Sequence, residues 1–208
     1  MDSYKTVMNE ASDEFTEKRS RFIGYVCPVT TEDECTEFIN RITKKHYDAK
    51  HNVYAYVLRQ GNIKRFSDDG EPQGTAGMPV LDVIQKRELE DVCVVVTRYF
   101  GGILLGGGGL VRAYSNACRL ALDAGGEAEV KKFTLVKIVC DYAFHDTLTK
   151  FIGKTSAETV ASDFSENVGI TVSVPAEETE SFSASVFEMS KGKITPEIIK
   201  QEYLKRKI

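Results

Sequence analysis

Two segments carry the residue types that could do chemistry. The first, VVVTRYFGGILLGGGGLVRAY (Val94 to Tyr114), places six glycines among the nine residues from Gly101 to Gly109, bracketed by Arg98 and Arg112. A β-branched run precedes the glycines and helix-favouring residues follow, which predicts strand, glycine loop, helix. A helix entered this way presents free backbone N–H groups beside the positive end of its dipole, a generic anion site, and the two arginines tilt towards that use. The steric alternative is that Gly101, Gly102, Gly106, Gly108 and Gly109 let the chain turn with positive φ and let backbones pass closely. Neither familiar phosphate fingerprint is present. Leu110 and Val111 stand where a Walker loop needs Lys-Ser/Thr, and Gly-x-Gly-x-x-Gly read from Gly106 or Gly107 ends on Val111 or Arg112.

The second segment is RFSDDGEPQGTAGMP, Arg65 to Pro79. With Gly70, Pro72, Gly74 and Gly77 it reads as an ordered loop of fifteen residues, a length that in compact domains tends to carry function. Arg65, Ser67 and Thr75 offer polar contacts. Asp68, Asp69 and Glu71 offer hard oxygen ligands to Mg²⁺, against the plainer account of an Asx turn with exposed carboxylates. Ser67 or Cys93 with His51 are the pieces available for nucleophilic catalysis, but no Gly-x-Ser-x-Gly elbow exists and nothing in the sequence sets either beside a base.

The elements that must position these segments follow from periodicity. Arg21–Val29 reads as a strand, and Thr31 with Glu34 forms a capping box ahead of a helix carrying Cys35, Phe38, Ile39 and Ile42. Val53–Arg59 and Ile63–Phe66 read as strands, and Val80–Gln85 as a short helix or turn entered through Pro79. Asp91–Phe100 predicts a strand buried on both faces, and Leu110–Ala124 a helix ended by Gly125 and Gly126. Beyond it come a strand over Phe133–Asp141, a helix with Phe144, Leu148, Phe151 and Ile152, strands around Val160 and over Ile170–Val174, a helix with Phe182, Val186 and Met189, and a last strand over Ile198–Leu204. That order, βαββαβ, is ferredoxin-like. The expected architecture is α+β, with one domain over residues 1–130 and a second over residues 131–208. Lys205, Arg206 and Lys207 read as a solvated tail.

Composition bounds the function classes. The 208 residues carry a net charge of −4; residues 1–130 hold 16 basic and 20 acidic side chains, and residues 131–208 hold 11 of each. Neither half has the basic excess of a typical nucleic-acid binder, so any RNA contact must be a local patch. The longest wholly apolar run, Val92–Val96, is far short of a membrane span, and the first residues, polar and acidic, lack a signal-peptide core. A cytoplasmic protein without membrane contact is expected. Cys27, Cys35, Cys93, Cys118 and Cys140 have no zinc spacing and read as reduced core thiols.

Taken together, the two loops resemble those of the YigZ/IMPACT family, and KRSRFIGYVCPV (Lys18 to Val29) resembles its opening strand. The resemblance covers the first domain densely and the second by length and element order. It implies a first domain folded like the second domain of ribosomal small-subunit protein five, and a ferredoxin-like second domain similar to domain V of elongation factor G. It also implies a link to translation: eukaryotic members regulate it by binding the activator of a starvation-responsive kinase, partly through a domain that chains of this length lack. The family's glycine loop reads Gly-Gly-x-Lys-Leu-Gly-x-Gly-Gly-Leu, whereas Leu104 stands here in place of the lysine, which weakens the anion reading.

Two functions follow. One is a non-enzymatic binding module, without cofactor, that meets RNA, the ribosome or a translation-associated protein through Arg65, Ser67, Asp68, Asp69, Glu71, Thr75, Arg98, Tyr99, Gly101, Gly102, Gly106, Gly108, Gly109 and Arg112. The other is a Mg²⁺-dependent enzyme acting on a nucleotide or phosphorylated small molecule, with Asp68, Asp69 and Glu71 on the metal. The missing nucleophile or general base favours the first.

Overall fold

The computed structural model describes residues 3–208, and the chain divides into two units: Tyr4–Glu129 with Lys205–Ile208, and a second one centred on Val130–Leu204.

In the first unit, strand β1 (Ser3–Val7) is followed by β2 (Ala11–Glu17), β3 (Ser20–Pro28), helix α1 (Glu32–Lys45), β4 (His51–Leu58), β5 (Ile63–Ser67), α2 (Gly77–Lys86), β6 (Val92–Tyr99) and α3 (Gly107–Gly125). Five strands form an antiparallel sheet in the order β2-β3-β6-β4-β5. Its centre, β6, is apolar from Val92 to Val96 and stays buried through Thr97 and Arg98, because both faces are covered. Cys93 and Val95 meet Cys35, Phe38 and Ile42 of α1, while Val92, Val94 and Val96 meet Val80 and Ile84 of α2 and Tyr114, Ala117 and Ala121 of α3. Each fully buried valine contributes about 1.5–3 kcal/mol on such a strand. The closest approach is at Gly24, where any Cβ would stand 2.3 Å from the Ala117 carbonyl oxygen, so α3 lies directly on β3.

The α1 cap is a shifted version of the expected box. Glu34 N–H donates to Thr31 Oγ1 at 3.2 Å, but the Glu34 carboxylate accepts from the N–H and hydroxyl of Thr30, one residue earlier than Thr31.

The second unit contains most of β7 (Glu127–Cys140), then α4 (Tyr142–Ile152), β8 (Glu158–Phe164), β9 (Val168–Pro175), α5 (Thr179–Met189) and most of β10 (Glu197–Lys207). The strands run β10-β7-β9-β8, and β1 also pairs with the long β7. Element order and strand order are those of a ferredoxin-like fold. Its core joins Val136 and Ile138 to Leu148, Ile152, Val172, Phe182 and Val186. Asp141 caps α4, its carboxylate accepting from Phe144 N–H at 2.8 Å.

Several expectations need correction. Ala11–Glu17, read only as polar and acidic, is an edge strand, whose mostly exposed side chains carry no apolar period. The fifteen-residue loop is shorter, because Arg65–Ser67 belong to β5 and Gly77–Pro79 to the first turn of α2. Lys205–Lys207 are part of β10, not a solvated tail: the Lys205 ammonium donates to the carbonyls of Val7 and Met8 at 3.3 and 2.7 Å. All five cysteines are free thiols, four of them buried and Cys27 half-buried. Among the described residues no helix is long and apolar enough to cross a membrane.

Candidate binding site

Phe15, Phe22, Arg98 and His51 stand opposite one another across β2, β3, β6 and β4. Strand alternation turns this row to the face under α2 and α3. Arg98 is only 5% exposed, and a buried cation needs a partner. Its Nη1 donates to Glu71 Oε1 at 2.5 Å, and the same oxygen accepts from the Tyr114 hydroxyl at 2.8 Å, with His51 Nε2 at 3.9 Å. The guanidinium also faces the rings of Phe22 and Phe100, 5.4 and 5.5 Å away, while its Nε has no hydrogen-bond partner. Burial, and then the Glu71 carboxylate, push the Tyr114 phenol far above its ordinary range, so it remains a donor. His51 Nδ1 donates to the Asp69 carbonyl at 2.7 Å, which turns Nε2 to Glu71.

The polar loop from Asp68 to Ala76 is tied down by its own carboxylates. Asp68 accepts from the N–H groups of Gly74, Ala76 and Gly77 at 2.8, 3.1 and 2.8 Å, so it caps α2. Asp69, at φ 42°, accepts from Asn52 N–H and donates its own N–H to Ser67 Oγ. Thr75 donates to the Pro72 carbonyl. Each of the three carboxylates proposed for Mg²⁺ is thus engaged by different donors, Glu71 in the interior and Asp68 and Asp69 by backbone N–H groups around the loop, and among the described residues no three His, Cys, Asp or Glu side chains are grouped to hold a metal.

The glycine loop is shaped by close approach. Gly101 N–H donates to Ser20 Oγ, and a Cβ there would lie 2.0 Å from the Arg19 carbonyl, in the β2–β3 turn where Lys18 and Arg19 adopt φ of 45° and 65°. Gly106 caps α3 at φ 72° without any side-chain bond, and Leu110 N–H returns to its carbonyl. The N–H groups of Gly107, Gly108 and Gly109 therefore lack helical acceptors, and the first turn holds no acid. Thr75 comes nearest, its methyl 3.9 Å from where a Cβ of Gly107 would be, so the two loops meet. Leu104 projects at the tip, 82% exposed, with Phe100 and Ile103 also exposed. Arg112 is exposed one turn into α3 and returns towards Gly108.

The structure brings together Glu71, Arg98, Thr75 and the glycines, with Ser67, Asp68 and Asp69 supporting the loop. It does not bring in Tyr99 or Arg65. Tyr99, one residue after Arg98, points to the opposite face and donates to Asp48, and Arg65 lies exposed on that same face near Glu32. Three participants escaped sequence reading: Tyr114, Phe22 and Asn52. The available signal was period: Tyr114 stands one helical turn after buried Leu110, and Phe22 is the large ring opposite Arg98, the one cation of β6. His51 serves neither Ser67 nor Cys93 as a base: Cys93 packs on the α1 face, and the Ser67 hydroxyl accepts from Asp69 N–H.

Comparison with known proteins agrees with this division. Residues 18–122 match the Impact N-terminal domain, and residues 138–193 match a domain of unknown function, DUF1949. The chain is 41% identical over 192 residues to the IMPACT family member YvyE of Bacillus subtilis, covering 92% of this chain and 88% of that one. Against the IMPACT family member YigZ of Escherichia coli it is 32% identical over 180 residues, 85% of this chain and 88% of that one. Protein IMPACT of Rattus norvegicus matches at 35% over 95 residues, 44% of this chain and 30% of its own. A solved structure described only as a hypothetical protein superposes with a TM-score of 0.61 at 30% identity, covering 96% and 98% of the two chains.

Proposed function

This chain belongs to the IMPACT family, and from that membership we propose that it is a cytoplasmic, non-enzymatic binding protein that bears on translation by contacting RNA, the ribosome or a translation-associated protein through the face built by its two loops. The observation that carries the reading is the direction of the side chains. Groups capable of acid–base chemistry, His51 and Glu71, are buried and engaged with each other's neighbours, whereas Leu104, the uncapped amides of α3 and Arg112 face outward. Mg²⁺-dependent phosphate chemistry would need Asp68, Asp69 and Glu71 free to converge on one ion, and their separate bonds to Gly77 N–H, Asn52 N–H and Arg98 favour contact over catalysis.

The test is co-sedimentation of the purified chain with ribosomes at about 100 mM salt, where a phosphate-dominated contact is still visible, together with its addition to a reconstituted translation system. Wild type should pellet with ribosomes or alter protein synthesis, and Leu104→Asp should lose the effect without losing its fold. Absence of both effects overturns the reading. A thermal shift with nucleotide plus Mg²⁺ that Asp69→Asn abolishes would restore the enzymatic alternative.

A further inference from the structure

Most arginines of the first unit face carboxylates: Arg21 meets Glu14, Arg41 meets Glu10, Arg87 meets Asp123 and Glu127, Arg98 meets Glu71, and Arg119 meets Asp123. Lys18, Arg19 and Arg112 differ. All three are exposed, none has an ion-pair partner among the described residues, and they gather at one place. Lys18 and Arg112 line a cleft of about 280 Å³, one from the β2–β3 hairpin and the other from α3, and Arg19 sits in the turn against Gly101. The cleft's apolar surface comes from Phe15, Leu105 and Ala113, which pack on the main core. Glu17 is its single carboxylate.

This local sign runs against the charge of residues 1–130, which carry all of the chain's −4. The uncapped start of α3 adds positive potential beside it. Ile103, Leu104 and Val111, chain neighbours of the lining residues Leu105 and Arg112, are exposed apolar side chains. A cleft under about 300 Å³ is below the range of drug-sized ligands and suits an inserted side chain. Single-stranded RNA binders combine a long basic groove with several aromatic platforms, whereas this cleft is short, with Lys18 and Arg112 as its lining cations and half-buried Phe15 as its one aromatic lining residue.

We propose that the cleft between the β2–β3 hairpin and the first turns of α3 receives an acidic peptide segment of a partner protein, with an apolar side chain on Phe15, Leu105 and Ala113 and a neighbouring carboxylate between Lys18 and Arg112. The proposal rests on the loop-face reading above and names its partner's chemistry. Cation and carboxylate set approach and register, and the apolar anchor supplies most of the affinity.

The experiment is selection of a random dodecapeptide display library on the full chain. Anisotropy titration of the enriched peptide as a synthetic probe follows, in parallel with a uridine dodecamer. Enriched peptides should pair Asp or Glu with Leu, Ile or Phe, bind more tightly as salt is lowered, and lose roughly ten-fold in affinity to the Lys18→Asn/Arg112→Gln double variant. Asn tolerates the positive φ at Lys18 and the helix accepts Gln, so an unchanged melting temperature separates lost contact from lost fold. Lys150→Glu, on an exposed position of α4 in the other unit, should bind as wild type. The proposal is overturned if no peptide is enriched, if enriched peptides lack acids, or if they ignore the double variant. Binding of the uridine dodecamer in their place, with the same variant sensitivity, overturns it too but leaves the loop-face reading standing. A chain that selects acidic peptides yet affects neither ribosomes nor translation would sink that reading and keep this one.

Discussion

A single oxygen of Glu71 holds two buried donors, from Arg98 and Tyr114, and so joins the polar loop, the central strand and α3. Glu71→Gln keeps the shape but strands the Arg98 charge, and breaking a buried pair from one side costs about 3–5 kcal/mol. Glu71→Leu with Arg98→Met, which leaves no charge to strand, should recover most of it. Guanidinium unfolding at constant m reads both, and a loss under about 0.5 kcal/mol for Glu71→Gln would mean the pair does not hold the loops. On the other face, His46 has a defined tautomer. The Tyr99 hydroxyl donates to Asp48, so His46 Nδ1 donates to Tyr99, and Nε2 accepts from Tyr25. Burial, and then the Lys45 ammonium, hold this imidazole below its ordinary 6.5. The unfolded chain therefore takes up a proton near pH 6.5 that the native ring refuses, so this contribution to stability is full at neutral pH and falls as pH drops below about 6.5. Unfolding free energies measured between roughly pH 5 and 8 should show a shallower acid decline for His46→Gln than for wild type; equal slopes would refute the assignment.

The elements separate what periodicity can show from what it cannot. β6 and α3 were legible because Val92–Val96 and the Leu110, Tyr114, Cys118 spacing reflect burial directly, and the βαββαβ half was legible because each element has its own apolar face. β2 was not, since an edge strand with one shallow face needs few apolar residues. The site was half legible: the two loops announced themselves by glycine and aspartate, but the Arg98–Glu71 pairing spans 27 positions and depends on register, which no local pattern encodes. The glycines of the loop also differ in a way that counting hides. Gly101→Ala would drive a Cβ into the Arg19 backbone and should destabilise by several kcal/mol or force the hairpin turn aside, whereas Gly102, at φ 85° with open space around its Cβ position, should lose only about 1 kcal/mol as Ala. Thermal melts of the two variants check the order, and similar losses would mean that turn geometry, not the approach to Arg19, explains the Gly101-Gly102 pair.

For the whole molecule, net charge and chain order both mislead at the point of interest. The −4 of residues 1–130 coexists with unpaired cations around one cleft, so sign must be read by location. Chain order suggests a clean break near residue 130, yet Lys205–Ile208 belong with Tyr4–Glu129. The Lys205 ammonium is half-buried and donates to the Val7 and Met8 carbonyls, while Ile208 N–H donates to the Glu127 carbonyl. Lys205→Ala leaves two carbonyls without their charged donor, a loss of about 1–3 kcal/mol confined to that corner. Native-state hydrogen exchange should then speed up in peptides spanning residues 4–9 and 125–128, where Met8 and Asn9 N–H groups bond the Gly126 and Gly125 carbonyls, and remain unchanged around Val172 and Val186 in the other core. Unchanged protection at residues 4–9 would return Lys205 to a solvated side chain. The expected change would mean that a fragment ending at residue 130 lacks part of its own fold, so the binding experiments need the full chain.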